Sequence, residues 1–259
     1  MDLGLAGKSA IVCASSRGLG KACAVSLLRE GVSVVINGRT QDALDDAKSE
    51  LDALGAGEVT AVLADIEQEE GRARLFEACS APDILVNNNA GPPPGLFLHW
   101  DEKQWTDALQ SNLLAPLMMI RTALPGMQER KFGRIVNITS AMVKSPHRFL
   151  GLSTTARTGL TAMCKALSSD AAQHNVTINN MLPERFDTDR QVQIAKLAAA
   201  MKGITVEEER AAIVDAIPAK RMGIADEFGD ACAFLCSAQA GFITGQNLQL
   251  DGGAYEGLI

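Results

Sequence analysis

Short apolar runs alternate along this chain with longer stretches in which apolar residues recur at helical spacing. Residues 9–14 (SAIVCA) are strand-like and run through Gly18 and Gly20 into the helix-patterned KACAVSLLREG. SVVIN follows, then the amphipathic 40–55 with its glycine stop, then VTAVLAD, then EQEEGRARLFEAC, then DILVNNNAG. A helical pattern covers about 101–130, GRIVNIT is strand-like, 152–173 is helical, and VTINNML is again a strand. The strands are almost continuously apolar, as strands covered on both faces must be. Strand-then-helix order repeated in this way predicts an α/β domain, a doubly wound parallel sheet with helices on both faces. No linker or low-complexity tract divides the chain, so residues 1–259 are expected to form one domain. Pro92-Pro93-Pro94-Gly95 predicts a stiff loop after the fourth strand. The weakly periodic, alanine-rich 184–222 reads as a substrate lid or an ordinary surface excursion.

Composition narrows the class. With 259 residues, 47% hydrophobic and 21% charged, the chain has the balance of a globular protein with a sizeable core. The net charge of −7 and the lack of any Lys/Arg run give no footprint for nucleic acid or an anionic membrane. No apolar run is long enough to span a bilayer, and residues 1–13 carry no charged leader before a long apolar segment, so a cytoplasmic location is expected. Six scattered cysteines without a CxxC pair, and only three histidines, argue against a disulfide framework or a metal site. Cys232 and Cys236, one helical turn apart, read as small core residues.

Chemistry first shows at CASSRGLGKA. Gly18 and Gly20 allow close backbone approach, and the amino end of the following helix offers N–H groups to a phosphate. Glycines at such a turn serve packing equally well. After the second strand, where a carboxylate would receive a ribose, the chain has Asn37-Gly38-Arg39. Arg39 and Arg17 are either a clamp for a 2′-phosphate or two solvated surface arginines.

The glycine spacing resembles the GxxxGxG loop of the short-chain dehydrogenase/reductase family, with Ala14 at its first glycine. The resemblance continues in family order. Asn88-Asn89-Ala90-Gly91 is similar to the NNAG element, Asn112 to the helix asparagine, and Ser140 to the catalytic serine that ends GRIVNITS. Pro183 and Thr188 match the ends of PGxxxT with Glu184 replacing its glycine, and 243–253 matches the last strand. It spans about residues 4–257 and implies a Rossmann-type fold. It also implies a cofactor, NADP(H), bound by Ala14, Ser16, Arg17, Gly18, Leu19, Gly20, Asn37 and Arg39 from the first two strand ends. Asp65 and Ile66 would meet the adenine (Asp65 being otherwise a helix N-cap), with Asn89, Ala90, Gly91, Arg157, Pro183 and Thr188 completing the site. A small carbonyl or alcohol substrate follows, together with a homodimer or homotetramer built on the helices near 101–130 and 152–173. If Ala14 needs positive φ, its methyl costs roughly a kcal/mol and loosens the loop.

In that family a tyrosine donates the proton and a lysine one turn later lowers its pKa. Here the matching positions hold Ser153 and Arg157, beside Ser140 and Asn112, and the only tyrosine is Tyr255. A serine is a far weaker acid than a phenol and shorter by a ring. Arginine, with a pKa expected above about 12, can steady an oxyanion or reach a ribose but does not give up its proton. Substitute donors are His147, Lys144 and, if the tail folds over the pocket, Tyr255. Glu184 and Arg185 either rebuild the pocket or are helix-capping and solvated charges. Ser140 either faces the pocket or ends a strand, and Asn112 either kinks a helix around a water or is a satisfied core amide. Three readings follow: an NADP(H)-dependent oxidoreductase with an altered proton donor, a dehydratase, lyase or isomerase on the same fold, or a non-catalytic dinucleotide-binding protein.

Overall fold

The computed structural model describes residues 2–258. Its strands are β1 (Ser9–Val12), β2 (Ser33–Gly38), β3 (Val59–Leu63), β4 (Ile84–Asn87), β5 (Gly133–Ile138), β6 (Val176–Pro183) and β7 (Asn247–Leu250). All pair in parallel, in the order β3-β2-β1-β4-β5-β6-β7. The helices are α1 (Gly18–Arg29), α2 (Gln41–Asp52), α3 (Glu69–Ala78), α4 (Glu102–Leu109), α5 (Ala115–Glu129), α6 (Gly151–Ala172), α7 (Asp189–Lys202), α8 (Val206–Ala216) and α9 (Ala225–Cys236). Alternate strand residues feed two apolar clusters. Val12, Ile36, Val86 and Val136 pack with α1, α2 and α9 on one face. Ile11, Val35, Leu85 and Ile135 pack with α3, α5 and α6 on the other. The order reverses between β1 and β4, which places the ligand crevice beyond the carboxyl ends of these strands.

Two expectations are corrected. The first strand stops at Val12 rather than residue 14, because Ala14 adopts φ 45°. The helix expected over 101–130 is broken: a π-helical turn at Gln110–Leu114 separates α4 from α5. Pro116 removes a backbone donor immediately after it, and Asn112 turns its amide out of the helix, so the regular ladder cannot run through. Residues 184–222, read as a lid or a surface excursion, hold two capped helices. Thr188 caps α7 and a Thr205/Glu208 capping box starts α8. Between them Ala195, Ile213, Ile217 and Met222 form a small core, flanked by a Lys202–Glu209 ion pair at 2.7 Å.

One polar feature crosses the apolar sheet. Asn87, Asn137, Asn180 and Asn247 are register partners on β4, β5, β6 and β7. Each Nδ2 donates to the next Oδ1, at 2.9, 3.0 and 2.9 Å. Asn137 is fully buried, so its amide is worth keeping only while both ends are paired. Replacing it, N137A, leaves the Asn180 acceptor unpaired and Asn87 Nδ2 with only its long bond to Pro116 O at 3.4 Å, and should destabilise the fold by about 3 kcal/mol, measured by denaturant unfolding.

Candidate active site

The loop after β1 is held by its neighbours before any ligand is considered. Ala14 N–H donates to Asn37 Oδ1 at 2.7 Å, and Ala14 O accepts from Asn88 Nδ2 at 3.2 Å. Ser15 Oγ donates to Val12 O and accepts from Asn37 N–H. A Cβ on Gly20 would collide with the Ala14 carbonyl, so this glycine is required for α1 to start so close to β1. Gly18, at φ +59°, has nothing within 4 Å of its open side. Arg17 is the N-cap of α1 in extended conformation, and no side chain caps that end. The first-turn N–H groups therefore face outward beside Ser16 and Leu19, which are half-buried.

Asn37, read as a cofactor contact, turns its side chain into the protein. It is buried, and its amide is taken up by Ala14 and by the Ala64 carbonyl at 2.9 Å, so it organises the loop. Arg39 is exposed, 4.0 Å from Glu67, and borders a cavity of about 270 Å³ lined also by Leu63, Ala64, Asp65 and Arg74. Asp65 is not the cap of α3, which is Gln68; its Oδ1 accepts from Glu67 N–H at 3.0 Å. Ile66 is buried beneath this corner.

At the end of β4, Asn89 donates to Glu67 Oε1 and to Ser111 O, and accepts from Ala90 N–H. The π-helical turn lets Asn112 Nδ2 reach Ala90 O at 3.2 Å and Ser111 Oγ at 2.6 Å. Asn87, Asn89, Asn112 and Arg157 line a cavity of about 10 Å³, the size of one water, and Asn87 Oδ1 is buried without a protein partner.

Arg157 occupies the centre. Its Nη1 donates to Ile138 O and Thr139 O, both at 2.7 Å, its Nη2 to Asn89 O at 3.3 Å, and its Nε to Ser153 Oγ at 3.2 Å. Burial, reinforced by the charge of Arg190, pulls its pKa down to about 10 instead of the expected value above 12. It stays cationic at neutral pH, with the acidity of an ordinary lysine. Four of its five N–H groups are engaged by the protein, and the fifth, on Nη2, is the one left to reach a ribose or a water.

Ser140 is half-buried at the end of β5, its Oγ accepting from Met142 N–H at 3.2 Å. Ser140, Ser153, Arg157 and Asn112 thus converge on the ends of β4 and β5. His147 does not join them; it is exposed, its ring 5.6 Å from that of Phe149. The tail does fold back over the β5–α6 loop, with the Lys144 ammonium 5.2 Å from the Tyr255 ring centroid. Pro183 ends β6, and the Thr188 hydroxyl accepts from Gln191 N–H at the start of α7. Glu184 and Arg185 pair with each other at 3.2 Å, Arg185 at φ 60°. The sequence reading missed Glu67, which joins Asn89 to Arg39, and Arg190, whose Nη2 donates to Pro92 O at 3.3 Å.

A parallel sheet with an open helix terminus at its switch point is the architecture of a dinucleotide-binding protein. A family model described as enoyl-(acyl carrier protein) reductase matches residues 13–255. The NADPH-dependent reductase BacG of Bacillus subtilis (strain 168) is 31% identical over 256 residues, covering 97% of this chain and 99% of that one. The 3-oxoacyl-[acyl-carrier-protein] reductase FabG of Escherichia coli (strain K12) is 28% identical over 249 residues, 96% of this chain and 98% of FabG. Among solved structures, L-sorbose reductase from Gluconobacter frateurii, complexed with NADPH and L-sorbose, superposes with a TM-score of 0.94 at 26% identity, with full coverage of both chains. This chain belongs to the short-chain dehydrogenase/reductase family.

Ala14 in the left-handed region is under strain that glycine would relieve, offset in part by the greater freedom of glycine in the unfolded chain. A14G should therefore stabilise by about 0.5 kcal/mol, a rise in Tm on the order of 1–2 °C in a thermal melt.

Proposed function

We propose that this protein is an NADP(H)-dependent oxidoreductase that interconverts a carbonyl and a secondary alcohol on a small molecule, with an altered proton-donor position. The observation that carries the reading is the uncapped amino end of α1, open at Gly18 and flanked by Arg17 and Arg39. The residues fit the cofactor. Backbone N–H groups at Gly18, Leu19 and Gly20 suit a pyrophosphate. The cavity beside Arg39 and Asp65 suits an adenosine carrying a 2′-phosphate, for which a guanidinium is a bidentate partner. Relatives named as NADPH-dependent reductases and structures solved with NADPH support the same assignment. Bound there, the nicotinamide supplies or accepts a hydride.

The chain's own groups divide the remaining work. Ser140 Oγ donates a hydrogen bond to the substrate oxygen, and Arg157, tied to the β5 carbonyls, places positive charge near the oxyanion. Asn112, held by the π-helical turn, keeps Ala90 and the small water-sized cavity in position. Water or a substitute side chain delivers the proton that Ser153 is too weak an acid to give. A dehydratase or isomerase reading is favoured by the same feature, since a fixed cation without a phenol suits enolate stabilisation. Self-association through α5 and α6 belongs to this reading; Leu114 and Met163 are exposed on the adjoining surface.

Nicotinamide absorbance tests the proposal directly. Purified protein with NADPH and a panel of ketones, diketones and 3-oxoacyl thioesters should consume NADPH steadily. Tight binding with no consumption on any carbonyl would overturn the redox reading. R39Q should weaken NADPH binding about tenfold or more while leaving NADH unchanged, measured by fluorescence titration. Installing the ordinary pair as S153Y/R157K should raise turnover of simple ketones at least about tenfold in a folded variant, within the range a positioned general acid contributes.

A further inference from the structure

The end of the chain folds over the carboxyl ends of the last strands. Asp251 follows β7, and its carboxylate pins the turn that starts the tail. Its Oδ1 accepts from Gly253 N–H at 2.9 Å and its Oδ2 from Tyr255 N–H at 2.8 Å. Gly252 and Gly253 are left-handed, at φ 65° and 87°. A Cβ on Gly252 would come within 2.8 Å of Ile217 Cγ2, so glycine lets the tail lie close to the segment that follows α8. Ala219 N–H donates to Gly252 O at 3.0 Å and fixes that contact. Ile217 belongs in turn to the small core of α7 and α8.

From this anchor the tail crosses the edge of the sheet. Leu250 is level with Pro183 on β6, and Met181 on β6 is level with Ile138 on β5. The Ser140 loop therefore starts two strand spacings from β7, about 10 Å. Tyr255 covers that span: the Lys144 ammonium lies over its ring, 5.2 Å from the centroid, and both residues are half-buried. Lys144 is itself held one turn beyond Ser140, its N–H donating to Ala141 O at 3.0 Å. The hydroxyl end of the ring lies against Gly257, where a Cβ would collide with it. The tail thus joins the base of the α7–α8 segment to the β5–α6 loop and roofs the end of β6, on the far side of β5 from β1 and β4.

We propose that Tyr255, docked on Lys144, is the outer wall of the substrate pocket and sets the largest carbonyl compound the protein accepts. This rests on the oxidoreductase reading above, in which a carbonyl held by Ser140 Oγ extends across the end of β6 toward the tail. The competing role for the ring is chemical, its phenol serving as the missing acid. The wall is favoured because the ammonium meets the ring face, whereas lowering the pKa of a phenol calls for a cation beside its oxygen.

The test uses NADPH with methyl ketones of rising chain length. In the wild type kcat/KM should fall once the chain outgrows the pocket. Y255A should raise the kcat/KM of the longest ketone relative to the shortest at least about tenfold, and K144M should shift it in the same direction by less. Y255F keeps the ring under the ammonium and should keep the wild-type profile. A wild-type profile that never falls, or one that Y255A leaves unchanged, overturns the inference while steady NADPH consumption keeps the redox reading. A Y255F variant that loses turnover on every ketone also overturns it, since the phenol would then be the acid. If the wild type consumes no ketone, hydrogen exchange decides. Faster exchange at Ala219 and over 141–145 in Y255A, absent in Y255F, upholds the closed wall while the redox reading falls. Equal exchange in wild type and Y255A removes both.

Discussion

The site is built around a buried cation that the protein satisfies without an acid. Arg157 is almost wholly enclosed, yet its guanidinium is met by the carbonyls of Ile138, Thr139 and Asn89 and by the Ser153 hydroxyl. Those carbonyls lie at the ends of neighbouring strands, so one side chain from α6 ties β4 and β5 at the edge that holds the candidate site. Dipoles compensate a buried charge less completely than a carboxylate does, and the lowered pKa of Arg157 records the difference. A lysine here, with three donors on one atom, could not span the same carbonyls in the same plane. The serine and the arginine are therefore best understood as a matched pair: the short residue leaves room, and the planar group fills part of it with hydrogen bonds.

The cofactor-facing half depends on a similar economy of contacts. Asn37 holds the amide of Ala14, Asn88 holds its carbonyl, and Gly20 admits that carbonyl against α1. The loop is thus kept by second-strand and fourth-strand residues in a shape that the family's first glycine would otherwise adopt freely. An alanine is tolerated because its neighbours over-determine the conformation. In the same way the π-helical turn at 110–114 is retained because it frees Asn112 to hold Ala90.

Much of this was legible in the sequence. The strand-helix alternation follows from local pattern, while the family resemblance is what singled out Gly18, Gly20, Asn88–Gly91 and Ser140 at strand ends and marked Ser153 and Arg157 as unusual. What lay beyond local pattern was the direction of side chains. Asn37 reads as a cofactor contact because it follows a strand, but its burial is decided by β1 and β3 on either side. Arg157 reads as a free cation because nothing nearby in sequence shows the carbonyls of residues 89, 138 and 139 arriving around it. The break in 101–130 was marked only by Pro116, which the apolar periodicity on both sides obscured. Arg190 and Glu67 carry no motif, and only the meeting of distant loops gives them a place.

The row of asparagines across β4 to β7 bears on how the sheet assembles. Strands that are oily on both faces can slide past one another with little loss, because one aliphatic contact resembles the next. Amides at one register level across the four strands end that degeneracy: displacement of a strand by one residue would part its amide from its partners. The ladder thus acts as an alignment key, selecting a single threading of the later half of the molecule and setting the ends of β4 and β5 level enough for one guanidinium to bridge them.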